Sequence, residues 1–390
     1  MTNDAVQWSV ADHQYMARAV ELAWRGLYTT EPNPRVGCVV VRDGKVIGEG
    51  FHRIAGEGHA EVNALQAVAD SETTAVGATA YVTLEPCSHF GKTPPCAEAL
   101  VEARVAEVVI GMVDPNPQVS GRGIARLEAA GIKVRTGLLT GDAEALNPGF
   151  NKRMRAQRPF VRLKLAASLD GRTAMASGES QWITGPQARQ DVQRLRARSS
   201  ALITGIGSIL QDDSALTVRA EQLGLAEAEV ISQRQPLRVV LDSQGRMPAT
   251  AKILRQPGKT LVVSQASCPA YFSQLASSQD TSAELEWLQL AGKGAGIDLQ
   301  VLLTELAKRQ CNEVLVETGA TLAGSFIGQG LVDELVLYQA MTLLGSEARS
   351  LVALPLQKMN QQRRLTLTDS RVLGNDIRLT LTPVETDTAE

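Results

Sequence analysis

Apolar strand patterns that alternate with amphipathic helical patterns limit this chain to an α/β fold. In the first part, VGCVVV, TAYVTL and AEVVIGM predict strands, and HAEVNALQAVAD and PPCAEALVEARV predict helices. Asp43-Gly44 predicts a hairpin turn between the first strand and KVIGEGFH. We also predict an opening helix capped by Asp12. A second alternating stretch runs from FVRLKLAAS to the end of the chain.

The domain organisation follows from the length and from one interruption of this pattern. A chain of 390 residues predicts about two to three domains. LNPGFNKRM breaks the alternation, and we place the boundary there, with residues 1–147 in one domain and 148–390 in the next. The basic stretch NKRMRAQR, residues 151–158, is expected to be a solvated linker rather than a nucleic-acid-binding arm.

The composition predicts a globular cytoplasmic protein. The chain is 44% hydrophobic and 21% charged, its N-terminus lacks the apolar core of a secretion signal, and no run approaches the ~18 apolar residues of a membrane span. An odd number of cysteines, five, does not suggest a disulfide framework. With a net charge of −3, we expect a small-molecule substrate and neither a nucleic-acid nor a membrane partner, and we leave a homo-oligomer open.

The histidines are confined to one end of the chain. His13, His52, His59 and His89 all precede residue 90, and residues 90–390 contain none. That larger part therefore cannot use a histidine triad or an imidazole proton shuttle, and its chemistry must come from carboxylates, lysine, water or a bound cofactor. Two dissimilar active regions are expected.

One histidine and two cysteines have the arrangement of a catalytic zinc site. His59 and Cys96 each begin a predicted helix, and Cys87 follows the strand between them. The positive partial charge of a helix N-terminus favours thiolates and hence metal binding. Three protein ligands leave the fourth tetrahedral position of zinc to a water molecule. Glu61, two residues after His59, is placed to accept and donate the protons of that water. A structural zinc or two buried thiols are the alternatives, but no fourth protein ligand is obvious.

His-Ala-Glu with Pro-Cys is the signature of zinc deaminases that act on nucleobases. That signature separates its cysteines by two residues, whereas eight separate Cys87 from Cys96. With this longer spacing, HAE, TLEPCSHFGKTPPC, PNPRVG and DPNP resemble the pyrimidine deaminases of riboflavin biosynthesis. KLAASLDGRTA, SGESQWIT, DDSALTVR and ETGATLAGSFIGQGLVDEL resemble the partner reductase, so the resemblance to this bifunctional family covers nearly the whole chain.

The resemblance implies a fold, two cofactors and two reactions. The fold is α/β in two domains, an N-terminal cytidine-deaminase-like α/β/α domain and a C-terminal dihydrofolate-reductase-like α/β domain. The first would bind one zinc ion and deaminate 2,5-diamino-6-(5-phosphoribosylamino)pyrimidin-4-one by attack of zinc-bound hydroxide. The second would use NADPH to reduce the ribosyl group, which yields 5-amino-6-(5-phosphoribitylamino)uracil.

The resemblance also assigns residues one by one. In the deaminase part, His59, Cys87 and Cys96 match the zinc ligands and Glu61 the proton carrier. The expected substrate contacts there are Asn33, His52, His89, Lys92, Asp114 and Asn116. In the reductase part, the expected substrate contacts are Ser180, Arg196, Leu216, Arg219 and Glu317. The expected cofactor contacts are Ala166, Trp182, Ser208, Asp212, Ser243, Gly319, Ala320, Thr321, Leu322, Ala323, Gly324 and Ser325.

Several residues near these motifs have no assigned role. Lys164 either contacts a ligand or packs. Arg194 and Arg198 are expected on a solvated helix face, and Cys38, Cys268 and Cys311 are expected as apolar core residues.

Two other functions are compatible with a zinc site. A nucleic-acid base deaminase with a fused targeting domain should carry a basic surface and stacking aromatics, yet aromatic residues make up 4% of the chain. A non-enzymatic protein with a zinc module and a nucleotide-sensing domain should need zinc in order to fold. Loss of deamination on chelation, with the fold intact, would argue against that second alternative.

Overall fold

The computed structural model describes residues 7–88, 95–278, 282–294 and 296–384. Its contacts divide the chain into two compact units, Met1–Arg158 and Pro159–Glu390. The division lies eleven residues beyond the predicted boundary after residue 147. The prediction of a solvated linker at residues 151–158 is wrong, because most of this stretch lies in a helix, Pro148–Ala156. Asn151 ties that helix to the first unit, since its buried side chain donates to the carbonyl oxygen of Glu144 (3.1 Å).

The first unit is a mixed sheet with helices on both faces. Its strands are β1 (Gly37–Arg42), β2 (Lys45–Phe51), β3 (Thr79–Leu84), β4 (Glu107–Met112) and β5 (Lys133–Thr136). Its helices are α1 (Val10–Trp24), α2 (Ala60–Asp70), α3 (Cys96–Glu102), α4 (Arg122–Ala129), α5 (Thr140–Leu146) and α6 (Pro148–Ala156). The strand order is β2-β1-β3-β4-β5, in which β1 is antiparallel to both of its neighbours and β3, β4 and β5 run parallel.

Alternation along β1 separates the two faces of this sheet. Cys38 and Val40 pack in the core with α2, α3 and α4, whereas Val39 and Val41 pack with α1. Successive strand residues point to opposite faces, so a strand buried on both sides is apolar throughout. The predicted α/β/α layering of the first unit is confirmed.

Two local details position α1 and α2. Ser9, rather than Asp12, is the N-cap of α1, and Asp12 completes a capping box as its third residue. The predicted hairpin turn is confirmed, with positive φ at Asp43 and Gly44. On β2, a Cβ at Gly50 would lie 2.4 Å from the backbone nitrogen of Ala64. Glycine at this position therefore lets α2, with the site residues at its start, lie directly on the sheet.

The second unit is built on a larger, mostly parallel sheet. Its strands are β6 (Phe160–Ser168), β7 (Arg172–Ala174), β8 (Ala201–Gly205), β9 (Leu237–Leu241), β10 (Gly258–Ser264), β11 (Ala283–Gln289), β12 (Gly292–Lys293), β13 (Gly296–Ile297), β14 (Glu313–Glu317), β15 (Glu334–Ala340), β16 (Arg349–Ser350), β17 (Leu365–Leu373) and β18 (Asp376–Pro383). Its helices are α7 (Pro186–Arg198), α8 (Ile206–Asp212), α9 (Ala228–Gln233), α10 (Ala270–Ser277), α11 (Leu299–Lys308) and α12 (Ala320–Gly328).

The order of the main sheet brings the ends of distant strands together. It is β11-β10-β9-β8-β14-β6-β15-β18-β17, parallel from β11 to β15 and antiparallel over the last two pairings. Residues of α7, α8 and α10 pack on one face, and residues of α11 and α12 pack on the other. Strand β14 enters late in the chain between β8 and β6, so the carboxyl ends of these three strands adjoin. Ligands of open parallel sheets bind at such a switch point.

Across the described ranges, no helix is both long and apolar enough to cross a membrane.

Candidate functional site

The predicted zinc ligands converge at the ends of three elements of the first unit. His59 is the N-cap of α2, Cys87 follows β3, and Cys96 is the first residue of α3. The Nδ1 atom of His59 lies 3.2 Å from the Sγ of Cys96 and 3.6 Å from the Sγ of Cys87. All three ligating atoms lie within 4.8 Å of one another. Zn–S bonds of about 2.3 Å and Zn–N bonds of about 2.0–2.1 Å place tetrahedral neighbours roughly 3.5–3.8 Å apart, so the donor set fits zinc.

The protonation of the two thiols also suits a metal. All five cysteines are free, so no disulfide competes. A hydrogen bond from the Cys96 thiol is the main cause that lowers the pKa of Cys87 to about 4, with burial opposing it and His59 assisting it. The pKa of Cys96 is raised because its thiol donates to Cys87 and is buried. The backbone N–H of Cys96, at the start of α3, also donates to the Sγ of Cys87 (3.3 Å). Cys87 is thus a thiolate already, and Cys96 would lose its proton when a dication binds.

Glu61 is a buried carboxyl group beside these ligands. It lies in the first turn of α2, and 3% of its surface is exposed. Burial is the main cause that raises its pKa to about 7, the charge of Cys87 adds to this, and His59 opposes it. The Cys96 thiol is hydrogen-bonded to its carboxylate. Such a group can both accept and release a proton near neutral pH.

Asn33 and His52 form a hydrogen-bonded pair next to His59. The Nδ1 of His52 lies 3.1 Å from the carbonyl oxygen of Gly58, so this nitrogen carries the proton. The Nε2 of His52 then accepts from the amide of Asn33 (3.1 Å). Burial lowers the pKa of His52, which favours this neutral form. The rings of His52 and His59 meet edge to face, 5.2 Å apart. The structure therefore brings Asn33 and His52 to the predicted metal centre.

Asp114 and Asn116 lie in the loop that follows β4. Asp114 is buried, and its Oδ1 accepts from the backbone N–H of Asn116 (2.8 Å). The Oδ1 of Asn116 accepts in turn from the N–H of Gln118 (3.0 Å). His89 and Lys92, the other predicted contacts of the substrate, lie outside the described residues.

Glu85 is a buried residue of this region that the motifs did not single out. It follows β3 directly and precedes Pro86 and Cys87. Its carboxylate accepts four backbone N–H groups from the segment between Asp114 and Ile124. One feature of the sequence could have indicated this role, since Glu85 directly follows an apolar strand. A carboxylate buried at such a position requires hydrogen-bonding partners.

In the second unit, the predicted substrate contacts Arg196 and Glu317 meet at the carboxyl ends of β6 and β14. Arg196 donates through Nε (2.6 Å) and a terminal nitrogen (2.9 Å) to the carboxylate of Glu317. It also donates to the carbonyl oxygen of Thr217 (3.3 Å), the residue after Leu216. Lys164 stands opposite Glu317 in the register of β6 and β14. One half-buried charged cluster therefore includes two predicted contacts, Arg196 and Glu317, and adjoins a third, Leu216.

Burial and the attraction between opposite charges shift the pKa values of Glu317 and Lys164 in this cluster. Burial would raise the pKa of Glu317, but the adjacent Arg196 and, to a lesser extent, Lys164 lower it below its usual value. Burial lowers the pKa of Lys164, whereas the negative charge of Glu317 opposes that shift. The Lys164 ammonium lies 5.8 Å from the centre of the Tyr338 ring. Lys164 thus belongs to the cluster, whereas the sequence left its role undecided.

Helix starts stand beside this cluster. Gly205 and Gly319 are the N-caps of α8 and α12, directly after the adjacent strands β8 and β14. Neither helix start is capped by a side chain. A Cβ at Gly319 would meet no atom within 4 Å, so the backbone there faces open space. N–H groups at an uncapped helix start can bind phosphate, so these residues fit the phosphates of a dinucleotide.

The structure places the remaining predicted contacts of the second unit on neighbouring elements. Ser208 and Asp212 lie on α8, Ser243 follows β9, and Ala166 lies on β6 opposite Tyr338. Ser180 and Trp182 lie between β7 and α7, and Gln211 of α8 donates to Gly178 of that segment (2.9 Å). Arg219 is exposed, and its guanidinium approaches the side chain of Gln222 (3.4 Å).

Two minor expectations, for Arg198 and Cys268, were wrong, and Arg194, which is part-exposed, has a further role. Arg198 is not on a solvated face, because it pairs with the fully buried Glu313 (3.0 Å). Arg194 donates to the carbonyl oxygens of Leu223 (2.8 Å) and Gly224 (3.0 Å) and so fastens a loop. Cys268 is exposed rather than in the core, although Cys38 and Cys311 are buried as expected.

Family models agree with the two units. Residues 9–112 match the cytidine and deoxycytidylate deaminase zinc-binding region, and residues 159–379 match the RibD C-terminal domain. Fold and site together define a bifunctional enzyme, a zinc-dependent deaminase joined to a reductase.

Close relatives carry both units. The chain is 51% identical over 378 residues to the riboflavin biosynthesis protein RibD of Escherichia coli (95% of this chain, 99% of the relative), and 46% identical over 387 residues to RibD of Haemophilus influenzae (97% and 99%). The solved structure of Acinetobacter baumannii RibD is similar at 49% identity, with a TM-score of 0.86 over 96% of this chain and 99% of that one. A deaminase/reductase from Thermotoga maritima is 30% identical, with a TM-score of 0.81 over the same shares.

This chain belongs to the RibD family. It is a bifunctional deaminase and reductase of riboflavin biosynthesis, and its cofactors are Zn²⁺ and NADPH. The expected two-domain α/β fold is confirmed. The two other functions weighed from the sequence are set aside.

Proposed function

We propose that the chain carries out two successive steps on one ribotide. It removes an amine from 2,5-diamino-6-(5-phosphoribosylamino)pyrimidin-4-one and then reduces the ribosyl group, which yields 5-amino-6-(5-phosphoribitylamino)uracil. The observation that carries this proposal is the convergence of His59, Cys87 and Cys96 beside the buried Glu61. The printed description of the Thermotoga maritima relative, a diaminohydroxyphosphoribosylaminopyrimidine deaminase and phosphoribosylaminouracil reductase, supports the same substrate.

In the deaminase reaction, His59, Cys87 and Cys96 hold the zinc, and Glu61 moves the protons. Zinc, when bound, supplies a Lewis acid that makes water nucleophilic at neutral pH. Glu61 takes a proton from that water and delivers it to the departing amine. A pKa of about 7 suits both transfers, because neither the acid nor the carboxylate form is scarce at neutral pH.

The remaining deaminase residues orient the substrate. The neutral His52 holds the amide of Asn33, so Asn33 presents a fixed hydrogen-bonding group to the pyrimidine. From the loop after β4, Asp114 accepts hydrogen bonds from the ribose hydroxyls of the substrate, and Asn116 contacts the same ribose phosphate group. We also assign contacts to His89 and Lys92, on the resemblance alone, since both lie outside the described residues.

In the reductase reaction, NADPH, when bound, supplies a hydride for the ribosyl carbon that becomes part of the ribityl chain. The N–H groups of Ala320, Thr321 and Leu322, in the first turn of α12, bind its phosphates, and Gly319, Ala323, Gly324 and Ser325 are the proposed contacts on either side of them. The other proposed cofactor contacts surround the same strand ends and are Ala166, Trp182, Ser208, Asp212 and Ser243. Their placement on β6, α8 and the end of β9 supports this assignment.

The ribotide of the second step lies against the charged cluster. Arg219 is the better phosphate ligand of the two proposed arginines, because it is exposed and Arg196 is already held by Glu317. Ser180 and the backbone of Leu216 complete the proposed contacts. Glu317, whose pKa is lowered, acts as an acceptor for ribose hydroxyls rather than as the acid. Lys164 is then the protein group that can donate a proton at this edge of the sheet.

We further propose that the enzyme works in the cytoplasm, on small molecules and without a nucleic-acid or membrane partner. A net charge of −3, with 4% aromatic residues, supports the absence of a nucleic-acid partner.

The decisive experiment offers the purified, zinc-loaded chain the diaminopyrimidine ribotide with and without NADPH and identifies the products by mass spectrometry. Without NADPH, the proposal predicts exchange of an amine for an oxygen. With NADPH, it predicts a further gain of two hydrogens. A single-stranded nucleic acid serves as the control substrate and should remain unchanged. No deamination of the ribotide by zinc-loaded protein would overturn the proposal.

A further inference from the structure

The loop between β4 and α4 is closed by one buried carboxylate. The Oε2 atom of Glu85 accepts the backbone N–H of Asp114, near the start of the loop (3.2 Å), and that of Gly121, at its end (3.0 Å). Glu85 itself is 3% exposed and donates its own N–H to the carbonyl oxygen of Met112 (3.0 Å). A single side chain therefore joins both ends of the loop to the end of β3.

The other carboxylate oxygen caps α4 from outside the helix. Oε1 accepts the N–H groups of Gly123 (3.0 Å) and Ile124 (3.3 Å), the second and third residues of α4. These are N–H groups that a helix cannot satisfy internally, and the N-cap, Gly121, has no side chain with which to do so. A carboxylate at a helix N-terminus is also favoured by the helix dipole. Glu85 thus replaces the missing cap.

Backbone packing holds the same junction together. A Cβ at Gly123 would lie 2.0 Å from the carbonyl oxygen of Pro86, so α4 begins in direct contact with the residue that precedes Cys87. In the described part of the chain, no cation forms an ion pair with Glu85; its charge is met by the four N–H groups.

From these contacts we infer that Glu85 is a positioning residue for the deaminase, which holds the loop after β4 in the shape that receives the ribose phosphate. This inference rests on the proposed function, in which Asp114 and Asn116 of that loop contact the ribotide. The bonds within the loop, such as the one from the Asn116 N–H to Asp114, do not fix where the loop stands. The Glu85 carboxylate fixes that position, because it links the loop to the segment that carries Cys87.

The test variant, Glu85→Gln, replaces one carboxylate oxygen of Glu85 with an amide NH₂ group of similar size. In Glu85→Gln, an NH₂ group faces two N–H donors, so part of the loop loses its acceptors. The matched control is Glu98→Gln, which removes a carboxylate that links α3 to α4 through Arg126 (2.6 and 2.8 Å) without touching the loop. Each variant and the wild type are offered the ribotide and the base alone, 2,5,6-triaminopyrimidin-4-one. Zinc content and kcat/KM are measured for both substrates.

The preference for the ribotide over the base is expected to fall about tenfold in Glu85→Gln, which corresponds to about 1.4 kcal/mol. Zinc content, activity on the base and the behaviour of Glu98→Gln should match the wild type. Loss of zinc, or an equal fall on both substrates, would make Glu85 a structural part of the metal centre and overturn the inference. An unchanged preference would also overturn it. A wild type that does not deaminate the ribotide would instead refute the proposed function, and this inference with it.

Discussion

Gly319→Val tests the proposed phosphate site at the start of α12 without disturbing the fold. Gly319 has an extended backbone (φ −80°, ψ 175°), which any residue can adopt. An added Cβ meets no protein atom within 4 Å. A valine side chain therefore fills only the space that we assign to the cofactor.

The size of the expected effect follows from the bonds that the valine would block. Phosphate held by N–H groups at a helix start makes charge-assisted hydrogen bonds, each worth about 1.5–3 kcal/mol. Loss of one such bond raises the dissociation constant of NADPH about 10- to 150-fold. Gly319→Ala, which adds the Cβ alone, should have a smaller effect in the same direction.

The assay is a calorimetric titration with NADPH, accompanied by thermal unfolding of each variant. Gly328→Val is the control, because Gly328 lies at the other end of α12 and its Cβ would make only an ordinary contact, at 4.0 Å from Leu354. We expect similar unfolding temperatures for all variants, strongly weakened binding for Gly319→Val, a smaller effect for Gly319→Ala and unchanged binding for Gly328→Val. Unchanged affinity in Gly319→Val would show that this loop is only a turn and that the cofactor binds elsewhere.

The other predictions address the remaining parts of the two sites. Cys96→Ser should lose about one equivalent of zinc by atomic absorption, because a hydroxyl replaces a thiolate ligand; full retention would contradict the site. Glu61→Gln should slow deamination ~10²–10⁴-fold with zinc still bound, and should leave reduction of supplied deaminated ribotide intact. Arg219→Ala should impair only reduction, so a mixture of these last two variants should restore the overall conversion; loss of reduction in Glu61→Gln would refute separate sites. Glu317→Gln leaves the half-buried Arg196 without its carboxylate and should destabilise the second unit by about 1–3 kcal/mol in chemical denaturation, whereas a negligible change would show that the pair is solvated.

The sequence predicted those features that depend on local patterns. Short apolar runs predicted β1, β3 and β4, and the residue order predicted that His59 and Cys96 would begin helices. It also misjudged the stretch at residues 148–156, because proline and glycine there suggested a break. Proline is tolerated in the first turn of a helix, where its missing N–H is not needed, so Pro148 begins α6 instead.

Contacts between distant residues could not be predicted in this way. Glu85 and Gly123 are 38 residues apart, and nothing in either local pattern indicates that a carboxylate after one strand caps a helix after the next. Arg198 was predicted to lie on the surface because arginines usually do. In the structure it forms an ion pair with the fully buried Glu313 of β14. Both cases depend on which strands become neighbours in the sheet, and a single sequence does not specify that order.

In both proposed sites, backbone N–H groups at helix N-termini lie next to negatively charged groups. The Cys87 thiolate accepts the N–H of Cys96 at the start of α3, the Glu85 carboxylate accepts N–H groups of α4, and the proposed cofactor phosphates face α12 at Gly319. In each case backbone N–H groups, fixed by the fold, meet a negative charge. The chain therefore needs no basic run to bind a phosphorylated cofactor, which is compatible with its net charge of −3.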